Sequence, residues 1–375
     1  MSIVSTIIFS AMAGATVLAI VSSQNRFLTW LFVLILVHAL GELFIASGGY
    51  QYAPHLAGIQ LPVRMLLGPA LYFYAHSMMA SEPLKYTRAY GLALLGPAVV
   101  LLVMLPFAGL SAEQKLSLAN PATRDPALWQ LAITTCAIVA AIFVAYTVAY
   151  LFAAFRLQKQ HRARVMEQYA NIETRSLDWF RIMLLVWGSV WFLFAIDRAL
   201  WIAGIRPGSL GIILALTEAF SLIAFAHLAL HQPPMPDPAV NRKTETDRTR
   251  EPTLPHERML RIAEKLKTCM HKDRLFVDNE LSLRHLADAT STSENHLSET
   301  FSQFLKTNFF QFVNEYRINE AKHLLQSTDA SITTVAFEVG YNSRSTFNTA
   351  FKKATGLTPS AYRRQATTTQ ANTRA

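Results

Sequence analysis

The stretch that decides the fold of this chain begins Leu283-Arg-His-Leu-Ala-Asp-Ala and continues Thr290-Ser-Thr-Ser-Glu-Asn. Its first part has the apolar spacing of a short amphipathic helix, and its second part is rich in turn-forming residues. Ser293 is predicted to cap the next helix, because its side chain can accept a hydrogen bond from a free backbone N–H. That helix is predicted to bury one apolar stripe: Leu297, Phe301 and Phe304. The pattern is that of a helix-turn-helix unit.

The same pattern repeats after a long helix that is predicted from about Phe309 to Gln326. The second unit starts near Ile332, and Gly340 supplies the left-handed turn residue that a side chain would penalise. Asn342 or Ser343 then caps the last helix, and its predicted buried stripe is Phe347, Ala350, Phe351 and Ala354. An amphipathic helix from His256 to about Met270, with Leu260, Ala263 and Leu266 on its apolar face, leads into the pair. Two such units on one rigid domain can place two recognition helices in successive major grooves of DNA, ~34 Å apart.

Two further stretches carry a resemblance to a known family: Glu315-Tyr-Arg-Ile-Asn-Glu-Ala-Lys-His-Leu-Leu, and Gly340-Tyr-Asn-Ser-Arg-Ser-Thr-Phe-Asn-Thr-Ala-Phe-Lys-Lys-Ala-Thr-Gly-Leu-Thr-Pro-Ser-Ala-Tyr-Arg. Here the chain resembles the AraC/XylS transcription regulators almost throughout. One departure is Lys306, where the family usually has glycine after its first recognition helix. The resemblance implies a partner, double-stranded DNA at promoter sites, and leaves open whether the protein acts as a homodimer.

The resemblance also implies which side chains face DNA. Base-reading positions are Glu294, Asn295, Ser298 and Glu299 on the first recognition helix, and Arg344, Ser345, Asn348 and Thr349 on the second. Arginine reading guanine or asparagine reading adenine would be direct readout, although Arg344 could instead clamp a phosphate. Lys352, Lys353, Arg363 and Arg364 are predicted phosphate contacts. From His256 onward the chain has 16 Lys and Arg against 12 Asp and Glu, a modest basic excess of 4.

The remaining chain is unusually apolar: 52% of all 375 residues are hydrophobic and only 16% are charged. Seven apolar stretches are long enough to cross the ~30 Å hydrocarbon core of a bilayer. They run over about Ile3–Ser22, Phe27–Gly48, Ala57–Ala80, Tyr90–Leu110, Ala127–Phe155, Leu177–Gly204 and Ser209–Leu230. We expect an all-α protein: a seven-helix transmembrane bundle surrounded by membrane lipid, followed by a cytoplasmic DNA-binding domain with two helix-turn-helix units.

An odd number of spans puts the two termini on opposite sides of a membrane. DNA is accessible only in the cytoplasm, so we expect a multi-pass protein of the bacterial inner membrane with its N-terminus outside. The predicted inner connections hold eight Lys and Arg: Arg26, Lys85, Arg88, Arg156, Lys159, Arg162, Arg164 and Arg175. The predicted outer connections hold three: Lys115, Arg124 and Arg206. This asymmetry agrees with the positive-inside rule.

The chain divides into three predicted regions: a transmembrane domain over residues 1–231, a linker over 232–255, and a DNA-binding domain over 256–375. The linker carries six prolines among polar residues and has no apolar periodicity. Cys136 and Cys269 lack metal-ligand spacing, so we expect neither a zinc site nor a disulfide. We expect no cofactor and no enzymatic activity.

Ionisable side chains inside apolar spans are costly, and they usually face a bundle interior or a watery cavity. Six of them share the outer half of the predicted membrane and form a candidate signal pocket: His38, Glu42, Arg64, Asp197, Arg198 and Glu218. We expect this pocket to sense a small molecule or an envelope condition. Three alternatives remain: ion pairs that only stabilise the bundle, a transporter or membrane enzyme with a regulatory tail, and a passive membrane anchor. Pro69, Gly96 and Pro97 are expected to bend the third and fourth spans.

Overall fold

The computed structural model describes residues 3–80, 86–119, 122–202, 205, 210–232 and 254–365. Within these ranges the regular elements are helices, and no β-strand is present. The all-α class predicted from the sequence is therefore confirmed for the described residues.

The chain forms two compact units, each built from two stretches. Residues Met1–Lys159 and Asp178–Pro238 make the first unit, and Gln160–Leu177 and Ala239–Ala375 make the second. We call them the apolar unit and the C-terminal unit. Residues 160–177, which the sequence analysis assigned to the transmembrane domain, thus pack with the C-terminal unit. Nearly all of the predicted linker, residues 233–253, lies outside the described residues.

The apolar unit is an assembly of helices, seven stretches of which are long and apolar enough to cross a membrane. They agree with the seven predicted stretches, although their ends differ by several residues. The helices are α1 (Ile3–Ser22), α2 (Arg26–Ala46), α3 (Gln60–Arg64), α4 (Leu67–Met79), α5 (Tyr86–Ala108), α6 (Ala112–Ala119), α7 (Pro126–Gln168), α8 (Asp178–Ile202) and α9 (Leu210–Leu230). Helix α2 packs against α1 and α4, and α9 packs against α1 and α8.

The third apolar stretch is interrupted one helical turn before the predicted proline, Pro69. It consists of a 3-10 turn at Pro54–Leu56 followed by α3 and α4. The break between α3 and α4 falls before Leu67, and Pro69 lies in the first turn of α4. A proline is tolerated there because a first-turn N–H has no partner within the helix. Pro69 also cannot donate to the carbonyl four residues earlier, that of Met65, and Met65 is where the helix breaks. The break therefore agrees with the predicted effect of Pro69 on this span.

Helix α5 continues through Pro97, and a neighbouring side chain explains why. Proline lacks the N–H that would bond to the carbonyl four residues earlier, here that of Ala93. The Tyr146 hydroxyl of α7 lies 2.8 Å from this Ala93 oxygen and 2.9 Å from the Leu92 oxygen, and it donates to them. A side chain at Gly96 would come within 2.8 Å of the Tyr146 ring. Gly96 therefore leaves room for the Tyr146 ring, and Pro97 leaves the Ala93 carbonyl free to accept a hydrogen bond from the Tyr146 hydroxyl.

The interior of the apolar unit is rich in aromatic side chains. Phe225 of α9 contacts four rings from three helices, α2, α4 and α8, at centroid distances between 4.7 and 6.3 Å: Phe32, Tyr74, Trp179 and Trp187. Tyr74 is buried in this cluster. Helices of this unit also carry large exposed apolar side chains, such as Ile7 on α1, Leu102 on α5 and Phe220 on α9.

The C-terminal unit contains two helix-turn-helix units joined by a long helix. Its helices are α10 (His256–His271), α11 (Leu283–Thr290), α12 (Glu294–Glu299), α13 (Phe309–Ser327), α14 (Ile332–Glu338), α15 (Arg344–Thr355) and a last helix at residues 359–365. Helix α12 continues as a π-helical turn over Thr300–Phe304. Each helix-turn-helix unit has its own apolar core. One core lies around Leu297 and Phe301, and the other lies around Phe347 and Phe351.

Two predicted core positions were wrong. Leu260 is 45% exposed, because α10 buries the adjacent face that carries Met259, Ile262 and Leu266. Ala354 is exposed, since α15 ends at Thr355 and its buried face stops at Phe351.

Candidate nucleic-acid interface and apolar-unit cavity

The first recognition helix is α12, and its start is fixed as predicted. The Ser293 side chain accepts a hydrogen bond from the His296 N–H at 3.3 Å, which confirms it as the N-cap. Glu294 and Asn295 are exposed in the first turn, and Ser298 is half-buried one turn later. Glu299 is different, because its carboxylate accepts a hydrogen bond from the Leu254 N–H at 3.1 Å. This contact holds the residues before α10 against α12, so Glu299 is less available to a base than its neighbours.

The sequence analysis missed the exposed end of this helix. Ser302 and Gln303 are exposed on the π-helical turn that follows α12, on the side away from buried Phe301. Lys306 comes next in the left-handed conformation, at φ +53°. This backbone explains why a glycine is usual here in the family that the chain resembles. Lys306 in place of the usual glycine was therefore the one sequence feature that pointed to this turn.

The second recognition helix is α15, and it begins after a turn that requires glycine. Ser343 is the N-cap and accepts from the Thr346 N–H at 3.2 Å, which decides between the two predicted caps. Gly340 has φ +90°, and a Cβ atom there would lie 2.7 Å from the carbonyl oxygens of both Phe276 and Val277. The glycine therefore allows two stretches of backbone to approach closely, in addition to providing the turn.

The predicted base-reading side chains of α15 share one outward face. Arg344, Ser345 and Thr349 are exposed, and Asn348 is half-buried. The Thr349 hydroxyl donates to the Ser345 carbonyl at 3.1 Å, a bond within the helix that a DNA acceptor could replace. The Asn348 side-chain oxygen is buried without a hydrogen-bond partner among the described residues.

The predicted phosphate contacts fall into two groups. Lys352 and Lys353 are exposed in the last turn of α15, and Arg364 is exposed on the final helix. Arg363 is half-buried, and its guanidinium donates to the Ala330 carbonyl at 2.6 Å. That bond ties the final helix to the start of the second helix-turn-helix unit, which favours a structural role for Arg363.

Arg317 is a central residue of the domain that sequence reasoning missed. It lies on α13 and is fully buried, at 0% exposure. Its guanidinium donates to the carbonyl oxygens of Phe276 at 2.7 Å and Asp278 at 2.9 Å, and to the Asn171 side chain at 2.9 Å. Burial lowers the pKa of Arg317 to about 10, so the guanidinium stays charged at neutral pH. A buried charge with several acceptors fixes the backbone segments that supply them.

A cavity of about 570 Å³ lies within the apolar unit, and we call it the bundle cavity. Four of the six residues of the predicted signal pocket line it: Glu42, Arg64, Asp197 and Glu218. His38 lines an adjoining cavity of about 40 Å³ and reaches the cluster through Glu218. The side chain of Arg198 lies outside the described residues. The common depth inferred from the sequence thus corresponds to a shared cavity for four of these side chains.

The charges around the bundle cavity are arranged in pairs. Arg64 Nη1 lies 3.5 Å from Glu42 Oε1, and His38 Nε2 lies 3.0 Å from Glu218 Oε1. The Arg64 guanidinium also stands over the rings of Phe143 and Phe194, at 5.0 and 4.3 Å. Arg64 Nε and His38 Nδ1 are buried without a hydrogen-bond partner among the described residues. These two atoms, one on Arg64 beside the bundle cavity and one on His38 beside the adjoining cavity, therefore have unused hydrogen-bonding capacity.

Comparison with known proteins bears on the C-terminal unit. A family described as "Helix-turn-helix domain" matches residues 286–365, which span both recognition helices and the buried arginine between them. The C-terminal unit contains an AraC-type helix-turn-helix domain. Within its match, the chain is 39% identical over 89 residues to an HTH-type transcriptional regulator of Staphylococcus aureus (strain COL). It is 33% identical over 88 residues to the HTH-type transcriptional regulator YtdP of Bacillus subtilis (strain 168).

These similarities cover about a quarter of the chain. The matched part is 24% of this chain, and it spans only 12% of the length of the S. aureus relative and 11% of YtdP. Among solved structures, the C-terminal domain of AraT, a response regulator from Geobacillus stearothermophilus, is 31% identical. It matches 28% of this chain and 84% of its own, with a TM-score of 0.26. The C-terminal domain of the two-component response regulator yesN from Fusobacterium nucleatum is 27% identical and matches 27% of this chain and 96% of its own, with a TM-score of 0.25.

Proposed function

We propose that this protein is a transcription regulator held in the bacterial inner membrane, which binds promoter DNA through its AraC-type domain. The observation that carries the proposal is the presence, in one chain, of that domain and of seven helices long and apolar enough to cross a membrane. The relatives of the domain are named HTH-type transcriptional regulators, which supports a regulatory role.

The outward face of the apolar unit supports its location in a membrane. Large hydrophobic side chains are exposed along its helices, including Ile7 at 62%, Leu102 at 66% and Phe220 at 74%. Monomeric soluble proteins rarely expose apolar surface over so many neighbouring helices, because its contact with water is unfavourable. Lipid tails would cover this surface without that cost.

The packing of the C-terminal unit supports the predicted orientation. Residues 160–177 connect the fifth and sixth apolar stretches, and they pack in the same compact unit as the AraC-type domain. This connection must therefore lie on the same side of the membrane as the domain. With seven crossings, the fifth connection and the C-terminus do fall on one side, which agrees with the excess of Lys and Arg in the predicted inner connections.

The proposed DNA contacts follow from the geometry of the two recognition helices. Arg344, Ser345 and Thr349 present exposed groups to base edges, and Lys352 and Lys353 present exposed charges to phosphates. On the first recognition helix, Asn295 and Ser298 take the base-reading role, and we add Ser302 and Gln303 to the same face. Homodimerisation would pair four recognition helices on a repeated site, and it remains part of the proposal.

We further propose that the bundle cavity senses a small molecule or an envelope condition. Its volume falls within the ~300–1,000 Å³ of typical ligand pockets, and it combines an apolar wall with a few charged groups. A ligand that binds one arrangement of the helices better than another would shift the population of the two arrangements. The Glu42–Arg64 ion pair and the His38–Glu218 hydrogen bond are the contacts such a ligand would rearrange.

Reporter fusions test the membrane topology on which the regulator proposal depends. A reporter that is active only outside the cytoplasm should be active when joined after Gly204 and inactive when joined after Arg88. A second reporter that is active only in the cytoplasm should give the reverse pattern. Opposite results at both sites would place the AraC-type domain away from DNA and overturn the proposal.

Single substitutions in the bundle cavity test the sensing proposal. We expect Glu42→Gln, Arg64→Gln and Glu218→Gln to change target-gene expression under at least one candidate signal while membrane levels stay normal. Glu113→Gln is a matched control, because Glu113 is exposed on α6 and does not line the cavity. If all three cavity variants regulate like the control under every condition, the charges are structural.

A further inference from the structure

A short segment between the fifth and sixth apolar stretches is built into the AraC-type domain. Residues 169–172, which we call the docking segment, follow directly after α7. Tyr169 forms an antiparallel bridge with Ser282, and the Ala170 N–H donates to the Leu281 carbonyl at 3.0 Å. Ala170 is fully buried and belongs to the core of the first helix-turn-helix unit. The segment therefore packs as a part of the domain, although it precedes its partners Leu281 and Ser282 by more than a hundred residues in the sequence.

One side chain of the docking segment joins three parts of the domain. The Asn171 amide donates to the Asn279 carbonyl at 2.5 Å, just before the first helix-turn-helix unit, and to the Gly340 carbonyl at 3.3 Å, in the turn of the second. Its oxygen accepts from Arg317 on the connecting helix α13 at 2.9 Å. Asn171 is 6% exposed, so water cannot readily replace these partners.

The contact continues at the surface beyond the docking segment. Arg175 pairs with Glu280 at 3.1 Å, and the His161 ring bonds to the Arg175 carbonyl at 2.7 Å. The His161–Arg175 hydrogen bond joins the two ends of residues 161–175, and the Arg175–Glu280 pair attaches them to the loop that precedes α11. The exposed pair contributes little by itself, whereas the buried Asn171 contacts are costly to break, because they would leave polar groups of the domain unpaired.

We propose that the docking segment is the site through which the apolar unit controls DNA binding. By bonding to the loop before the first helix-turn-helix unit, to the turn of the second and to α13, Asn171 fixes the arrangement of the two recognition helices. The segment is covalently continuous with α7 on one side and reaches α8 within a few residues on the other. A movement of either helix would pull on the docking segment and loosen that arrangement. The predicted proline-rich linker, by contrast, could only tether the domain.

The proposal rests on the proposed function for its effect on DNA, but the docking contact can be tested without DNA. The experiment uses the full-length chain in lipid nanodiscs and compares Asn171→Ala with the wild type by hydrogen exchange. Glu173→Ala is the matched control, because Glu173 is exposed in the same connection. We expect Asn171→Ala to speed amide exchange at residues 169–172 and 276–281 by at least about tenfold, because a hydrogen bond to a buried charge is lost. The control should exchange like the wild type.

The same preparations then measure affinity for DNA that is selected for binding to the wild-type protein. One duplex keeps both recognition sites, and a second has one site replaced by unrelated sequence. We expect Asn171→Ala to bind the two-site duplex at least about tenfold more weakly and the one-site duplex within about threefold of the wild type. The reason is that a fixed arrangement helps only when both recognition helices bind at once.

A second variant covers the case in which Asn171→Ala prevents folding. Asn171→Asp keeps an acceptor for Arg317 but removes the N–H groups that bond to Asn279 and Gly340, so it should also lose two-site affinity. Exchange in the variants equal to that of Glu173→Ala would overturn the docking contact. Faster exchange with unchanged two-site affinity would overturn its control of DNA binding. If the wild type selects no DNA, the proposed function fails, while the exchange comparison still decides the docking contact.

Discussion

Lys306 shows how a single residue can carry a conformational cost inside a well-matched motif. It takes the left-handed conformation at φ +53° directly after the first recognition helix. A side chain in this conformation costs ~1–2 kcal/mol relative to glycine. Its exposed ammonium group lies beside the proposed DNA face, where it can approach a phosphate. The chain thus gains a positive charge near DNA at the expense of local stability.

We predict that Lys306→Gly raises the opening free energy of this helix-turn-helix unit by about 1 kcal/mol, because the strained residue is relieved. Native-state hydrogen exchange of the slowest amides in α13 measures this quantity in the full-length protein. Lys306→Ala removes the same charge but keeps the strained backbone, so it should give no increase. Equal stabilisation by both variants would show that charge, and not conformation, is responsible.

Arg344 and Lys353 separate base reading from phosphate binding on α15. We predict that Arg344→Ala weakens DNA binding by ~1–3 kcal/mol and relaxes the preference at one base pair, because a bidentate contact to a base is lost. Lys353→Ala should weaken binding to all sequences alike. Affinities for a set of duplexes with single base-pair changes measure both effects. A uniform loss for Arg344→Ala would instead identify it as a phosphate clamp, the alternative that the sequence leaves open.

At the scale of elements, the turn before α15 depends on more than its conformation. Two glycines of the domain have positive φ: Gly340 at +90° and Gly356 at +77°. A Cβ atom at Gly340 would meet two carbonyl oxygens at 2.7 Å, whereas one at Gly356 would meet nothing within 4 Å. The comparison separates the conformational cost of a side chain from the cost of a backbone clash.

We predict that Gly340→Ala destabilises the second helix-turn-helix unit by more than about 2 kcal/mol, while Gly356→Ala costs about 1 kcal/mol. The larger effect arises because either the Phe276–Val277 backbone or the Gly340 turn must move. Arg317 holds the Phe276 carbonyl, and Asn171 holds the Gly340 carbonyl. Hydrogen exchange of α14 and α15 amides in both variants provides the measurement. Similar costs for the two substitutions would rule out the close approach.

The sequence was sufficient for the elements of the AraC-type domain. Ser293 and Ser343 cap their helices, and Gly340 is the left-handed turn residue, because each of these roles depends on local chemistry. Periodicity failed at Leu260 and Ala354, where the buried face is decided by which neighbour packs against the helix. In the apolar unit, hydropathy located the seven stretches, and Pro69 marked the third as bent, because a proline disrupts the helix at the residue four positions earlier.

At the scale of the whole molecule, the docking segment could not have been read from the sequence. Asn171 bonds to Asn279, Gly340 and Arg317, which lie 108, 169 and 146 positions away. No local pattern distinguishes Asn171 from other polar residues in an inner connection. The four charges around the bundle cavity were found because depth in a membrane is a one-dimensional property that span positions reveal. Contacts between stretches that are far apart in sequence leave no comparable signal in the sequence.

Helix α7 runs directly into the docking segment. It has 43 residues and is therefore ~65 Å long, about twice the ~30 Å hydrocarbon core of a bilayer. Its second part carries Arg156, Lys159, Arg162 and Arg164, which suits a helix that leaves the membrane on the cytoplasmic side. Helix α7 is covalently continuous with the docking segment, through which the proposed control of DNA binding would act.

The proposal that this protein binds promoter DNA while it is embedded in a membrane can be tested by one measurement. The DNA affinity of the full-length protein in lipid nanodiscs is determined as a function of salt concentration. Three exposed cations, Lys352, Lys353 and Arg364, give a slope of log affinity on log salt of about −2.7, or a fall of ~40-fold between 50 and 200 mM. The account predicts selective promoter binding with at least this salt dependence by the lipid-embedded protein. Stable incorporation into nanodiscs with no DNA binding, or binding that is insensitive to salt, would contradict it.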